Sequence, residues 1–189
     1  MPTYVEHPDS KQYAVGFRYW IPKEVDLPSL ISAIEWVVNQ HEILRSTFVA
    51  SEQPWSGAAF RVVESNSSAV IEHIDISREQ DAQGFVNRHF ERWCYRSFDI
   101  FNDELVRFQV LTHESGDSWL LLSSHHIIID GISGMVLLKK IIECYELLIQ
   151  RQHLPRFIDN FSDYVDRQRQ QCDAQDSLDF WAQRTKTVG

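Results

Sequence analysis

The chain has 189 residues, 43% of them hydrophobic and 12% aromatic, enough for one globular domain with a sizeable core and too apolar for a low-complexity or disordered polypeptide. The formal charge is −9, from 27 acidic and 18 basic residues, and no dense block of lysine and arginine offers a surface for nucleic acid or an anionic membrane. Cys94, Cys144 and Cys172 are odd in number and far apart, which fits neither a disulfide framework nor a metal site. Residues 1–10 lack the order of a signal peptide and no apolar run approaches a membrane span, so the expectation is a cytoplasmic protein.

Along the chain, residues 12–21 alternate. Tyr13, Val15, Phe17 and Tyr19 share one face, and Ala14, Gly16, Arg18 and Trp20 the other, which predicts a strand ended by Pro22. Asp26 is the expected N-cap of a helix with Pro28 in its first turn. Leu30, Ile31, Ile34, Val37 and Val38 form its buried stripe, running to about His41. A short strand over 46–49 and a loop over 51–57 follow. Strands are then expected over 58–63 and 70–74, joined by a polar turn over 64–68. Ser77 is the expected cap of a long helix over 79–96, with Phe85, Phe90, Trp93 and Cys94 close to helical spacing. Residues 105–112 and 118–125 read as a hairpin around the turn at 114–117. An apolar-rich helix over 133–149 and two amphipathic helices over 161–171 and 177–184 complete an α/β sandwich built on a mixed sheet.

The chemistry concentrates where the second hairpin strand ends, at Ser124-His125-His126-Ile127-Ile128-Ile129-Asp130-Gly131. Neighbours on a strand point to opposite faces, so one histidine is expected to be buried and the other open to a substrate. Imidazole moves a proton near neutral pH and suits a general base or a positioning group. Asp130 stands at the mouth of the following helix. It can accept from that helix's free N–H groups or pair with a distant arginine. Gly131 leaves space for close approach. The plain alternative is a satisfied core histidine before a capped turn, and the residue types alone leave both readings open. The eight histidines have no zinc-like spacing, no metal site is expected, and there is no glycine-rich phosphate loop.

His125-His126-Ile-Ile-Ile-Asp130-Gly131 resembles the HHxxxDG signature of the condensation domains of non-ribosomal peptide synthetases. The segment from Gln40 through His41, Glu42, Leu44, Arg45 and Thr47 to Phe48 resembles that family's RHExLRTxF segment, with Gln40 in place of its leading arginine. Ser97-Phe98-Asp99 followed by Leu105-Val106-Arg107 resembles its PFD…PLxR stretch. Phe161, Asp163-Tyr164 and Phe180-Trp181 resemble the helices that follow.

The resemblance implies a chloramphenicol acetyltransferase-like fold, with residues 1–189 as the N-terminal lobe, the C-terminal lobe absent, and the active site at a seam between lobes. It implies amide formation between a donor acyl or peptidyl thioester on one peptidyl carrier protein and an aminoacyl acceptor on another. The phosphopantetheine arms of the carriers enter as substrate, and no cofactor is bound directly. His126 is then expected beside the reacting amine, taking or positioning its proton, while His125 supports the turn from the other face. Asp130 is expected to be structural, in an ion pair with Arg45, and the Gly131 backbone N–H to face the developing oxyanion. A lone lobe is expected to be inactive and to self-associate through its uncovered face. An epimerization-domain lobe and a non-catalytic carrier-docking module are the alternatives. Heterocyclization domains would replace the histidine pair with aspartates, and the Gln40–Phe48 match separates the chain from wax-ester synthases that also carry HHxxxDG.

Overall fold

The structure is a computed structural model that describes residues 13–50, 59–63, 71–157, 161–172 and 175–185. The loop expected over 51–57 and the turn expected over 64–68 lie outside the described residues. Backbone contacts divide the chain into two units, Met1–Arg156 and Phe157–Gly189.

In the first unit four strands form one sheet. Strand β1 (Ala14–Ile21) pairs antiparallel with β6 (Ser118–His125), and β6 antiparallel with β5 (Val106–Thr112). Strand β4 (Ile71–Asp75) lies parallel to β5, so the sheet is mixed, as expected. Parallel neighbours need a crossover. Helix α2 (Ala82–Cys94) makes it, running between β4 and β5 in the chain. All eight residues of β6 are buried, which marks the centre of the fold. The two strands that flank residues 64–68 enter different sheets. Strand β3 (Ala59–Val63) pairs with β2 (Ser46–Ala50) in a separate two-stranded sheet, and β4 joins the main one.

Helix α1 (Leu27–Gln40) begins as the sequence predicts. The Asp26 carboxylate accepts from the Ser29 amide at 3.0 Å, Pro28 sits in the first turn, and Leu30, Ala33, Ile34, Val37 and Val38 are buried. The long helix expected from residue 79 starts later. Ser77 donates its backbone N–H to Asp75 in a turn, and Asp81 is the cap, accepting from the Gly84 amide at 2.8 Å.

Helices cover both faces of the sheet. On one, α2 packs Val86 into a cluster with Ile76, Leu111, Trp119 and Leu121. Ser123 Oγ donates to the Cys94 carbonyl at 2.7 Å, and a side chain at Gly16 would run into the Cys94 thiol. On the other face lies α3 (Gly131–Ile149), where Gly134 makes room for the Phe17 ring and the Tyr19 hydroxyl reaches Met135 Sδ at 3.9 Å. The Asp26 amide donates to Tyr145 Oη of α3 at 3.1 Å, joining α1 to the same layer.

The second unit holds α4 (Phe161–Cys172) and α5 (Gln175–Thr185), close to the bounds read from the sequence. Within α5, the Phe180 and Trp181 rings meet edge to face, and Arg184 lies 5.2 Å from the centre of the Phe180 ring. Among the described residues, no helix is long and apolar enough to cross a membrane.

Candidate active site

The register of β6 decides the histidine pair. His125 is the last residue of the strand, opposite Ala14, and its side chain falls on the α2 face with Ser123 and Leu121. It is 6% exposed, whereas His126, in the turn that follows, is exposed. The His125 amide donates to the Leu105 carbonyl at 2.9 Å, and the His126 amide to the Tyr13 carbonyl at 2.7 Å. The backbones of the two histidines are therefore tied to residues that lead into different strands, Leu105 before β5 and Tyr13 before β1.

The His125 ring lies between aromatic neighbours. The Tyr13 ring is 5.7 Å away and tilted, and the Phe98 ring is 6.1 Å away at 86°, edge to face. Its Nδ1 accepts the Ile127 backbone N–H at 3.1 Å, which closes the turn and leaves the proton of the neutral ring on Nε2. Burial, and then the charge of His126, lower the His125 pKa from the ordinary 6.5 to about 4. His125 is thus neutral near pH 7, in the form that its bond to Ile127 requires.

Asp130 is the N-cap of α3. Its exposed carboxylate accepts from the Ser133 amide at 2.7 Å, and the Gly134 amide donates to the Asp130 carbonyl at 3.0 Å. Hydrogen bonds from Ser133, the backbone amide foremost, hold its pKa below the usual carboxylate value, with a smaller contribution from the charge of His126. The Asp130 carboxylate is thus engaged by the start of its own helix, and no ion pair between it and Arg45 is seen among the described residues. The physical reason is local. An exposed aspartate three residues before a free helix amide gains a charge-assisted bond without bringing a guanidinium across the fold. Gly131 is exposed, and a Cβ built on it would meet nothing within 4 Å, so the approach to the first turn of α3 is open.

Of the other motif segments, the one with Phe98 reaches this turn, through its ring beside His125. Gln40 closes α1, and Glu42–Arg45 form a single 3-10 turn with Leu44 buried. The Phe48 amide then donates to the Ile100 carbonyl at 3.3 Å, binding β2 to the segment that contains Phe98. Ser124 Oγ donates to the Leu105 carbonyl at 2.9 Å, so both Ser124 and His125 hold that residue. Sequence reasoning used Phe98 and Arg107 only as landmarks and passed over Asp103. In the structure the Arg107 guanidinium lies 3.9 Å over the Phe98 ring and bonds Asp103 at 2.8 Å. A cavity of about 210 Å³ beside it is lined by Glu72, Trp93, Arg96, Asp103, Arg107 and Phe108, and neither histidine borders it.

Residues 5–188 match the family model described as the condensation domain. The hybrid PKS-NRPS synthetase thnA of Trichoderma harzianum is 29% identical over 138 residues, covering 73% of this chain and 3% of that protein. A linear gramicidin synthase of Brevibacillus parabrevis is 26% identical over 167 residues, covering 86% of this chain and 3% of that protein. The crystal structure of the starter condensation domain of rhizomide synthetase RzmA superposes with a TM-score of 0.82 at 16% identity, covering 97% of this chain and 45% of that one. The chain thus spans a small fraction of the length of the curated relatives it matches, and less than half of the solved domain.

Proposed function

The chain belongs to the condensation-domain family, and from that premise we propose that it is the N-terminal lobe of a domain that forms an amide bond. The donor is an acyl or peptidyl thioester on one carrier protein, and the acceptor is the amine of an aminoacyl group on another. Both are presented on phosphopantetheine arms. The amine nitrogen attacks the thioester carbonyl, the carbon–nitrogen bond forms, the carbon–sulfur bond breaks, and the amine's proton leaves with the released thiol. His126 receives or positions that proton. His125 and Asp130 hold the turn and the helix start around it, and the Gly131 N–H faces the oxyanion.

The observation that carries this reading is the division of the histidine pair. His126 stands exposed at the strand end, while His125 is buried, neutral and occupied with Ile127. The first turns of α3 support a seam at this face, since Ile132 is 78%, Met135 58% and Val136 49% exposed beside the histidine turn. A second lobe closing on that strip would exclude water from the reaction, and without it the lobe would be inactive or would self-associate. The coverage of 45% of the solved starter domain agrees with one lobe of two. Donor and acceptor would both arrive tethered, so much of the rate would come from proximity.

The test is product formation. The full-length protein carrying this sequence is mixed with donor- and acceptor-loaded carriers, and the extended thioester is detected by mass spectrometry. The wild type is expected to give it. A His126→Ala protein that gives it at the same rate would overturn the assignment.

A further inference from the structure

We infer that Arg107 and Phe98 are positioning residues for the histidine turn: the Arg107 guanidinium fixes the Phe98 ring, and the Phe98 ring fixes the His125 imidazole, whose bond to Ile127 sets the backbone from which His126 projects. This inference rests on the reading of His126 given above.

The chain of contacts is continuous. Asp103 Oδ2 accepts from the Asp99 amide at 3.1 Å and from Arg107 Nη2 at 2.8 Å. The same Nη2 reaches the Ser97 carbonyl at 3.4 Å, so the guanidinium is held at both ends of the Ser97–Asp103 segment. That segment is itself folded tightly, with Asp99 accepting from the Phe101 amide at 2.9 Å and from Asn102 Nδ2 at 2.7 Å. Arg107 covers the face of Phe98, and Phe98, 2% exposed, meets His125 nearly at a right angle. His125 then accepts from the Ile127 amide.

The choice of residue points beyond filling space. The Arg107 side chain is only 12% exposed, and desolvation, followed by the like charge of Arg96, opposes its protonated form, with Asp103 in partial compensation. An aliphatic residue would fill that volume without burying a charge. A planar guanidinium against an aromatic face adds what an aliphatic residue cannot, a fixed plane. Phe98 in turn presents that plane to an imidazole whose rotation would break the bond to Ile127. A misplacement of His126 by about 1 Å is the kind of error that lowers a rate strongly without unfolding anything.

The test uses Arg107→Lys, which keeps the charge beside Asp103 and loses the plane, and Phe98→Leu, which keeps an apolar filling and loses the ring. Val86→Ala, in the α2 core and remote from this chain of contacts, controls for lost stability. Amide formation is measured with kcat and acceptor KM separated, and the His125 ring nitrogens are read by NMR on histidine-labelled protein. Each positioning variant is expected to lower kcat about tenfold with KM within about twofold. The His125 Nδ1 signal should move from the unprotonated position towards a tautomer mixture. Val86→Ala should change neither quantity. Wild-type kcat and an unmoved Nδ1 signal in both positioning variants would overturn the inference, as would reproduction of both effects by Val86→Ala. If His126→Ala leaves amide formation intact, the functional reading fails, and the nitrogen signal alone then decides whether Arg107 and Phe98 hold His125.

Discussion

Acidification should destabilise this fold through His125. In the unfolded chain the imidazole titrates near 6.5, and in the folded chain burial brings it to about 4. Between those values the unfolded state binds the extra proton, so stability is highest above pH 6.5 and is lost as pH falls towards 4. The whole interval corresponds to about 3 kcal/mol. Solvent screening at the end of β6 reduces this to about 2 kcal/mol, which for a chain of this size is a fall of about 4–8 °C in Tm. The assay compares thermal melts at about pH 7 and about pH 4.5 for the wild type and for His125→Asn, which can still accept from the Ile127 amide but does not titrate. Subtracting the two proteins removes the contributions of the other histidines and the carboxylates. The wild type is expected to lose the additional 4–8 °C or so, and the variant, less stable at neutral pH, to show a flatter profile. Identical pH profiles would refute the assignment of a buried, neutral His125.

Gly134→Ala should lower Tm, because the added Cβ collides with the Phe17 ring; the clash costs about 1–3 kcal/mol and outweighs the helix-propensity gain of about 1 kcal/mol. Adding Phe17→Leu to the same chain should recover much of that loss in thermal melts. Asp130→Ala should lower Tm by about 3 °C through loss of the α3 cap, while Asp130→Ser should stay close to the wild type, as monitored by circular dichroism. Since hydrogen bonding holds the Asp130 carboxyl below 3.8, its contribution is present above that pH and fades as pH falls beneath it. Arg45→Ala should leave the Asp130 titration, followed by NMR, where it was.

How much of this was legible in the sequence follows from how local each interaction is. The Asp26 cap, Pro28 and the stripe from Leu30 to Val38 are set within a few residues, and the helix appears where expected. The hairpin that delivers the histidines was legible for the same reason, since Gly116 supplies the positive φ that its turn needs. Strand alternation also foretold that one of His125 and His126 would be buried. The start of α2 was misplaced because Ser77 and Asp81 are both competent caps, and the Asp75 side chain had already taken the Ser77 amide into a turn. The pairing of β4 with β5 was hidden because it joins residues across a helix. For Asp130 the residue types allowed cap or ion pair and the family resemblance favoured the pair with Arg45; the structure shows the cap, whose partner Ser133 is only three residues away. The Asp103–Arg107–Phe98–His125 chain was invisible in prospect, as its members sit on two strands and an irregular segment whose approach only the fold creates.

The central claim is the separation of roles within the histidine pair, and the most direct measurement sets activity against stability for His126→Ala. In the full-length protein, single-turnover amide formation between loaded carriers is expected to fall by about 100-fold or more, while Tm remains within about 1 °C of the wild type, as for an exposed side chain outside the core. A His126→Ala protein that forms the amide within about threefold of the wild-type rate, or one that melts as early as His125→Asn, would contradict it.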